Sequence, residues 1–502
     1  MDVMGNIIFG FSQALSFDNL LFTIAGVTLG TLVGVLPGIG PMGAMSLLLG
    51  VTFGMTPMQT LLLFSGIYYG SMYGGSTTSI LLNVPGESTS VITCIDGYKM
   101  TQKGRAGAAL FIAAAGSFVA GTLSVIGLML FAPPLAEFAL RFGSPEYFAL
   151  TGVGLIVLTS ISSGSKLKAA LMVLFGILIS TIGMAPGSGD QRFTFGILAL
   201  SQGVDFVPVA MGIFGITEVI DTIVKKSDSV SVKSVRLREL LPNRKEFRRS
   251  IGPTFRGSIL GFFIGLIPGP AAVISSFASY AMEKKISKHP EEFGNGAIEG
   301  VAGPESANNS AAGGAFLPLM ALGIPFAPPM ALLLSALLIT GINPGPTFIQ
   351  DHPDIFWVFV ASMYMGNVLL LVLNLPLLGI FVSVLRTPEK ILMPVVAVLC
   401  LIGVYAVNSS SVDIWVLIIS GVCGFFLRRR GYDFAPLVLA IVLGPKLESY
   451  LIESMAMSNG DLSIFVSRPI SLIILLIPVV LIAFKVLALV FRKATVREVH
   501  ET

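Results

Sequence analysis

The sequence predicts an all-α polytopic membrane protein built from two related halves. Hydrophobic residues make up 54% of the 502 residues and charged residues only 12%, whereas a soluble chain carries about 25% charged residues. Because one span needs about 20 apolar residues, the chain has room for roughly 10–14 membrane segments, some of them half-length or re-entrant. The other two observations are a broken apolar motif that occurs in both halves and one long basic stretch near the middle.

The broken motif has the form G-x-x-x-G-x-x-P-G and occurs at 30–38 and 261–269. Glycines four residues apart let helices approach closely, and the Pro-Gly pair interrupts the helix. A Gly-Gly pair follows in each half, at 74–75 and 313–314, and leads to an apolar residue and a proline; one insertion aligns the two. Non-helical backbone at membrane depth is tolerated only where it is buried or lines a wet cavity. The repeat therefore predicts discontinuous helices of a transporter.

The other apolar segments follow in order around these breaks. They lie at 14–36, 42–53, 58–84, 106–131, 147–160, 168–184 and 195–224 in the first half, and at 252–280, 316–322, 330–341, 355–385, 391–407, 412–427, 434–447 and 469–491 in the second. Residues 1–13 contain no Lys or Arg, so they lack the basic start of a cleaved signal peptide. We therefore expect the first apolar element to remain in the protein.

The stretch 225–250 divides the chain near its middle. It carries nine Lys and Arg residues against three acidic ones, and a loop this basic stays in the cytoplasm. The predicted organisation is therefore a first transmembrane repeat at 1–224, a cytoplasmic linker at 225–250, a second repeat with extra helices at 251–491 and a cytoplasmic tail at 492–502.

The loops that follow the two copies differ in charge. Lys99, Lys103 and Arg105 follow the first copy, whereas 343–354 contains two aspartates and no Lys or Arg. The positive-inside rule places the first loop in the cytoplasm and the second outside. Equivalent points of the two halves would then lie on opposite faces, which predicts an inverted-topology repeat, as in many secondary transporters.

Polar residues cluster beside the breaks in both halves. The predicted substrate-binding residues are Gly38, Gly75, Ser76, Thr77, Thr78, Ser79, Asn83, Gly269, Pro270, Ser306, Asn308, Asn309 and Ser310. Amides freed at a helix N-terminus carry partial positive charge and bind anions. No Lys or Arg occurs in these clusters, so an anion would be held by amides, hydroxyls and dipoles. The alternative is that these small and hydroxylated residues serve only helix packing.

The candidates for a coupling-ion site are Asn83, Glu87, Glu305 and Asn309. Carboxyl groups inside a membrane are functional by default, although both glutamates could instead cap helix ends at an interface. Apart from Na⁺, which freed carbonyls would suit, no metal and no cofactor is predicted, because the few Cys and His residues are scattered. No Walker motif is present, and nothing indicates an enzyme or a nucleic-acid-binding protein.

Several longer motifs resemble the large membrane subunit of the tripartite tricarboxylate transporters. They are residues 34–40, 69–87, 96–98, 104–109, 142–147, 192–196 and 303–309, and the similarity extends in order over residues 15–470. One departure follows Gly323-Ile324-Pro325, where Phe326-Ala327-Pro328-Pro329 replaces the small polar residues expected there.

The resemblance implies a secondary active transporter subunit of the bacterial inner membrane. It would import di- or tricarboxylates such as citrate, coupled to a gradient of Na⁺ or H⁺. The resemblance also implies two partners, a small four-helix membrane subunit and a periplasmic solute-binding protein that delivers the carboxylate. The alternative function is an ion or solute channel, which would require a continuous polar pore.

Overall fold

The computed structural model describes residues 3–36, 40–161, 165–224, 240–384 and 389–480. These ranges are helical almost throughout, which confirms the predicted all-α class. The helices are α1 (Val3–Ala14), α2 (Phe17–Val35), α3 (Gly40–Leu49), α4 (Pro57–Leu82), α5 (Val91–Gln102), α6 (Ala106–Ala139), α7 (Ser144–Ile161), α8 (Lys166–Ser180), α9 (Phe206–Met211), α10 (Thr217–Val224), α11 (Arg244–Gly265), α12 (Ala271–Ile286), α13 (Glu299–Gly314), α14 (Phe316–Leu322), α15 (Pro328–Ile339), α16 (Phe348–Asp351), α17 (Pro353–Asn374), α18 (Leu378–Val384), α19 (Glu389–Asn408), α20 (Ser411–Arg429), α21 (Ala435–Met457) and α22 (Ile464–Ser467).

Six helical segments within the described ranges are long and apolar enough to cross a membrane. They are Phe17–Val35, Ala106–Ala139, Phe206–Val224, Pro353–Asn374, Ser411–Arg429 and Ala435–Met457. Shorter apolar helices accompany them, at Gly40–Gly54, Pro328–Ile339, Met393–Ala406 and Pro469–Val480. The chain is therefore a multi-pass membrane protein in which full-length and half-length helices are mixed.

Helices α2 and α4 pack along a glycine face. A Cβ atom on Gly30 would overlap the Ile67 carbonyl oxygen, and one on Gly34 would overlap that of Ser71. Only glycine leaves room for backbones at this distance. The packing interpretation of the first motif is therefore confirmed.

Helices α11 and α13 repeat this arrangement in the second half. Gly261 lies against the Ala307 carbonyl oxygen and Gly265 against that of Ala311. The second contact is Ser71 in the first half and Ala311 in the second. The same number of residues follows each contact before a left-handed residue ends the helical segment. That residue is Asn83 (φ 58°) in the first half and Gly323 (φ 69°) in the second. The two halves therefore align without the insertion that the Gly-Gly pairs suggested.

The equivalent helices α4 and α13 run in opposite directions where they meet. Ser76 on α4 donates a hydrogen bond to Glu305 on α13. Further back along α4, a Cβ atom on Gly313 would lie only 2.5 Å from the Tyr69 hydroxyl oxygen. Residue numbers thus rise along one helix while they fall along the other. The orientation of either half in the membrane stays a prediction.

The segment predicted at 195–224 becomes α-helical only at Phe206, after a short 3-10 helix at Leu198–Gln202. Before it, β1 (Gly183–Met184) and β2 (Gln191–Arg192) form a short antiparallel hairpin, and Phe195 and Leu198 are more than 80% exposed. Apolar composition alone suggested a helix here, but Gly189, Gly196 and Gly203 all have positive φ. Such residues favour turns over helix.

Ion pairs join the segments at one end of the helix bundle. Arg105, which follows α5, pairs with Glu246 at the start of α11. Arg249 donates to Glu299 Oε1 over 2.7 Å and to Glu292 Oε2 over 2.6 Å. The loop after α5 and the end of the linker thus lie on one face. The rest of the linker, at 225–239, and the tail at 492–502 lie outside the described residues, and the assignment of this face to the cytoplasm stays a prediction.

Candidate functional site

The second-half breaks face each other and are joined by a hydrogen bond. Helix α11 ends at Gly265 and α12 starts at Ala271. Between them, Gly269 has φ 130°, which favours glycine, and its N–H donates to the Phe326 carbonyl oxygen over 2.8 Å. Phe326 lies in the break between α14 and α15, so the starts of α12 and α15 are held close to each other.

The first-half break is closed by glycine contacts. Helix α3 starts at Gly40, at φ 60°. The chain after α4 turns back so that Gly86 lies against the Gly34 carbonyl oxygen and the Gly75 Cα atom. Any side chain on Gly86 would force these elements apart. Gly38, predicted to bind substrate, lies outside the described residues.

A cavity of about 550 Å³ lies between the four breaks. Its wall contains the starts of α3, α12 and α15 and the segment 85–89; Gly269 and Pro270 are part of it. Apolar side chains and backbone form most of the remainder, from Tyr68 and Met72 on α4 and from Ala311 on α13. The structure thus brings helix N-termini from both halves to one cavity.

Four charged side chains line this cavity in the part of the chain that the structure describes. They are Glu87, Glu218, Arg428 and Asp433. Arg428 donates to Glu218, and the Asp433 Oδ1 atom accepts from the Ala435 N–H over 3.0 Å at the start of α21. The sequence did not single out Arg428, because it belongs to a run of three arginines directly after an apolar segment.

Glu87 is half-buried in the cavity wall. The Thr89 hydroxyl donates to its Oε1 atom over 2.6 Å. A Cβ atom on Gly75 would lie 2.8 Å from the Glu87 Cγ atom, so the glycine leaves the space in which this side chain sits. Gly75, predicted to bind substrate, thus positions Glu87 against α4.

Glu305 is fully buried and does not itself line the cavity. Ser76 on α4 and Thr93 on α5 donate hydrogen bonds to its two carboxylate oxygens. The Asn308 Nδ2 atom lies 3.4 Å from Oε2. The carboxyl group thus joins α4, α5 and α13, and sequence reasoning missed Thr93 because its segment was interpreted as a loop.

A second polar cluster lies beside it. The Asn309 Nδ2 atom donates to the Ser117 hydroxyl over 2.7 Å, and Thr77 lines a space of about 10 Å³ together with Tyr73, Ser117 and Asn374. This volume corresponds to a single water molecule. Within the described ranges, the hydroxyl of Tyr73 has no hydrogen-bond partner.

Most of the remaining predicted residues donate hydrogen bonds to the backbone of their own helices. Ser306 donates to the Ala302 carbonyl oxygen over 2.7 Å, and Thr78 and Ser79 donate to that of Gly75 over 3.2 and 3.0 Å. Asn83 ends α4 and is exposed. Ser310 is buried, and its hydroxyl has no hydrogen-bond partner among the described residues. A substrate role for these residues stays a prediction.

Asp96 on α5 connects the two halves at the charged end of the bundle. Its Oδ1 atom accepts from the N–H groups of Gly294, Gly296 and Ala297 over 2.6–2.9 Å, and its Oδ2 atom accepts from the Tyr280 hydroxyl over 2.8 Å. Asp96 thus binds the backbone just before α13.

The loop beside Asp96 is also fixed by charge. The Arg249 guanidinium donates to the Glu292 carboxylate and thereby holds the pKa of Glu292 below its ordinary value. Glu292 lies outside the membrane-spanning helices, and its ionised form is stabilised by this pair.

Comparison with known proteins places the chain in a family. The family described as "Tripartite tricarboxylate transporter TctA family" matches residues 20–439. The chain is 49% identical over 472 residues to the "Uncharacterized 52.8 kDa protein in TAR-I ttuC' 3'region" of Agrobacterium vitis, with 94% of both chains covered. It is also 49% identical over 211 residues to the "Uncharacterized protein in TAR-II ttuC' 3'region" of the same organism, which covers 42% of this chain and 87% of the relative. No solved structure matches.

The family match covers most of the chain, and the long relative agrees with it nearly from end to end. The membrane helices and the cavity between the broken helices fit a transport protein. The chain belongs to the TctA family of the tripartite tricarboxylate transporters.

Proposed function

We propose that this chain is the transporting subunit of a secondary active importer for di- or tricarboxylates, driven by a gradient of Na⁺ or H⁺. The observation that carries the proposal is the cavity at which helix starts from both halves converge. Its volume of about 550 Å³ lies in the range of small-molecule sites, about 300–1,000 Å³.

The helix starts give the cavity its preference for anions. Each helix N-terminus carries about half a positive elementary charge. Helix α15 begins with Pro328 and Pro329, which have no N–H, so there the helix dipole acts without free amides. Helices α12 and α15 both begin at this wall. Two carboxylates of one substrate could therefore each face a helix start, without a buried lysine or arginine to hold them permanently.

The arrangement of the halves supports alternating access. The pair α2 and α4 has the same glycine contacts as the pair α11 and α13, and α4 runs opposite to α13. We infer two inverted-topology repeats with the substrate site between them, the arrangement of many secondary transporters. Movement of one repeat against the other would open the cavity to each side in turn.

The family's tripartite organisation implies partner subunits. We propose that these are a small four-helix membrane subunit and a periplasmic solute-binding protein that delivers the carboxylate. The complex would lie in the bacterial inner membrane, with the linker 225–250 and the C-terminus in the cytoplasm. A channel would instead require a pore that is open from end to end.

Uptake into proteoliposomes tests this proposal. The chain is reconstituted with the proposed small membrane subunit and solute-binding protein, and uptake of labelled citrate and succinate is measured. We expect saturable uptake that requires an inward gradient of Na⁺ or H⁺. The absence of gradient-dependent uptake of both carboxylates would count against the proposed function, and uptake that does not saturate would favour a channel.

A further inference from the structure

The charges in the cavity wall are a difficulty for an anion site. Among the described residues, three carboxylate side chains line the cavity and only one Lys or Arg does so, Arg428. Arg428 already donates to Glu218, and Asp433 binds the start of α21. Within the described part of the chain, no ion pair joins Glu87 to a Lys or Arg, and its Oε1 atom accepts from the neutral Thr89 hydroxyl.

The groups around Glu87 do not reduce its charge. On α4, the Tyr68 side chain lines the same cavity. On α13, Glu305 adds a second carboxyl group close enough to interact electrostatically with Glu87. Across the cavity lie Glu218 with its partner Arg428, and Tyr432 with Asp433. The hydroxyl of Thr89 is a neutral donor, so it stabilises the Glu87 carboxylate without cancelling its charge.

An ionised Glu87 and a dianionic substrate would therefore share one cavity. Like charges this close repel, because a bound substrate displaces water that would otherwise screen them. The repulsion disappears when Glu87 carries a proton or pairs with a metal cation. The positive ends of α12 and α15 then attract the substrate without repulsion from Glu87.

We propose that Glu87 is the coupling residue, and that the cavity binds its carboxylate substrate only when a monovalent cation, H⁺ or Na⁺, neutralises this side chain. This inference rests on the proposed function and names the residue that links the ion to the substrate. Substrate and cation enter the cavity together on one side of the membrane. Both leave on the other side, where loss of the cation from Glu87 expels the anion.

Binding of citrate and of succinate to the purified chain tests the inference without any gradient. The dissociation constant is measured from about pH 7 to about pH 9, where the ionisation of both probes is nearly constant, with and without Na⁺. If the cation is a proton, we expect the constant to rise by up to about tenfold per pH unit. If it is Na⁺, the constant falls with Na⁺ concentration at fixed pH. In E87Q, either dependence disappears and binding equals that of the cation-saturated wild type.

Two further variants separate coupling from structural damage. E291Q changes an exposed glutamate far from the cavity wall and should keep the wild-type dependence. T89V removes the donor to the ionised carboxylate; if the cation is a proton, the pH dependence should shift to higher pH while the tightest affinity is unchanged.

Several outcomes would overturn the inference. They are a wild-type affinity that responds to neither cation, an E87Q variant that keeps the wild-type dependence, and a folded E87Q variant that binds neither probe. The last result would make Glu87 a direct ligand. If the wild type itself binds neither carboxylate under any condition, the proposed function fails and this inference fails with it.

Discussion

Glu305 shows at the scale of one residue how a buried carboxyl group holds separate helices together. Its two oxygens accept from Ser76 on α4 and Thr93 on α5, while the residue itself belongs to α13. A buried carboxyl group that loses a donor is left with an unmet hydrogen bond, which costs more than the bond itself contributes. The contacts with Ser76 and Thr93 therefore make Glu305 a junction between the two halves.

Replacing Ser76 by alanine tests this junction. We expect S76A to lower the free energy of unfolding by about 1–3 kcal/mol, because Glu305 loses a buried donor. S258A is the matched control, since Ser258 is equally buried but donates only to the Thr254 carbonyl oxygen of its own helix. Unfolding of purified variants in detergent measures both. Equal losses in S76A and S258A would contradict the junction.

The same variant separates the two interpretations of the polar cluster. If Ser76 takes part in substrate binding, the KM of S76A for uptake rises. If it serves packing alone, stability falls while the KM is unchanged.

At the scale of the elements, the breaks and the glycine faces could be predicted from sequence because they have local causes. An adjacent Pro-Gly pair is a local helix breaker, and glycines four residues apart mark one face of a helix. The donors to Glu305 could not be found in this way. Thr93 is far from Glu305 in sequence, and only the packing of α5 against α13 brings them together.

The charged residues at the cavity could not be predicted from the sequence for a similar reason. Arg428 belongs to a run of arginines at the end of α20, and its role at the cavity depends on where α20 meets the breaks. Asp96 was part of a recognised motif, yet its binding of three N–H groups before α13 is a long-range contact. Local patterns identified the broken helices but not the side chains that meet between them.

The glycine face of α11 makes a second prediction. A side chain on Gly261 would overlap the Ala307 carbonyl oxygen, so G261V must push α11 away from α13. We expect a loss of about 1–3 kcal/mol in the free energy of unfolding, since backbone cannot move aside as a side chain can. G379A is the control, because a Cβ atom there meets no other atom within 4 Å.

Thermal unfolding of purified G261V and G379A checks this expectation. A G261V variant that is as stable as G379A would show that α11 and α13 do not depend on close backbone contact.

At the scale of the whole molecule, two halves with matching glycine contacts meet around one cavity. Helix α4 and its equivalent α13 pack in opposite directions, and the starts of α3, α12 and α15 point to the space between the halves. The composition predicted the membrane and the repeat predicted discontinuous helices. The cavity itself depends on how the breaks pack against each other, so no local pattern could have located it.

The most direct test of this account is protection of a single cysteine in the cavity wall by substrate. Val273, near the start of α12, lines the cavity. V273C is introduced after the three native cysteines have been replaced by alanine, with S188C on the exposed hairpin turn as the control. With citrate or succinate at about ten times its dissociation constant, we expect a charged thiol reagent to modify Cys at position 273 about tenfold more slowly, and the control at an unchanged rate. A carboxylate that binds but leaves the rate at position 273 unchanged would contradict the central claim that the substrate site lies between the broken helices.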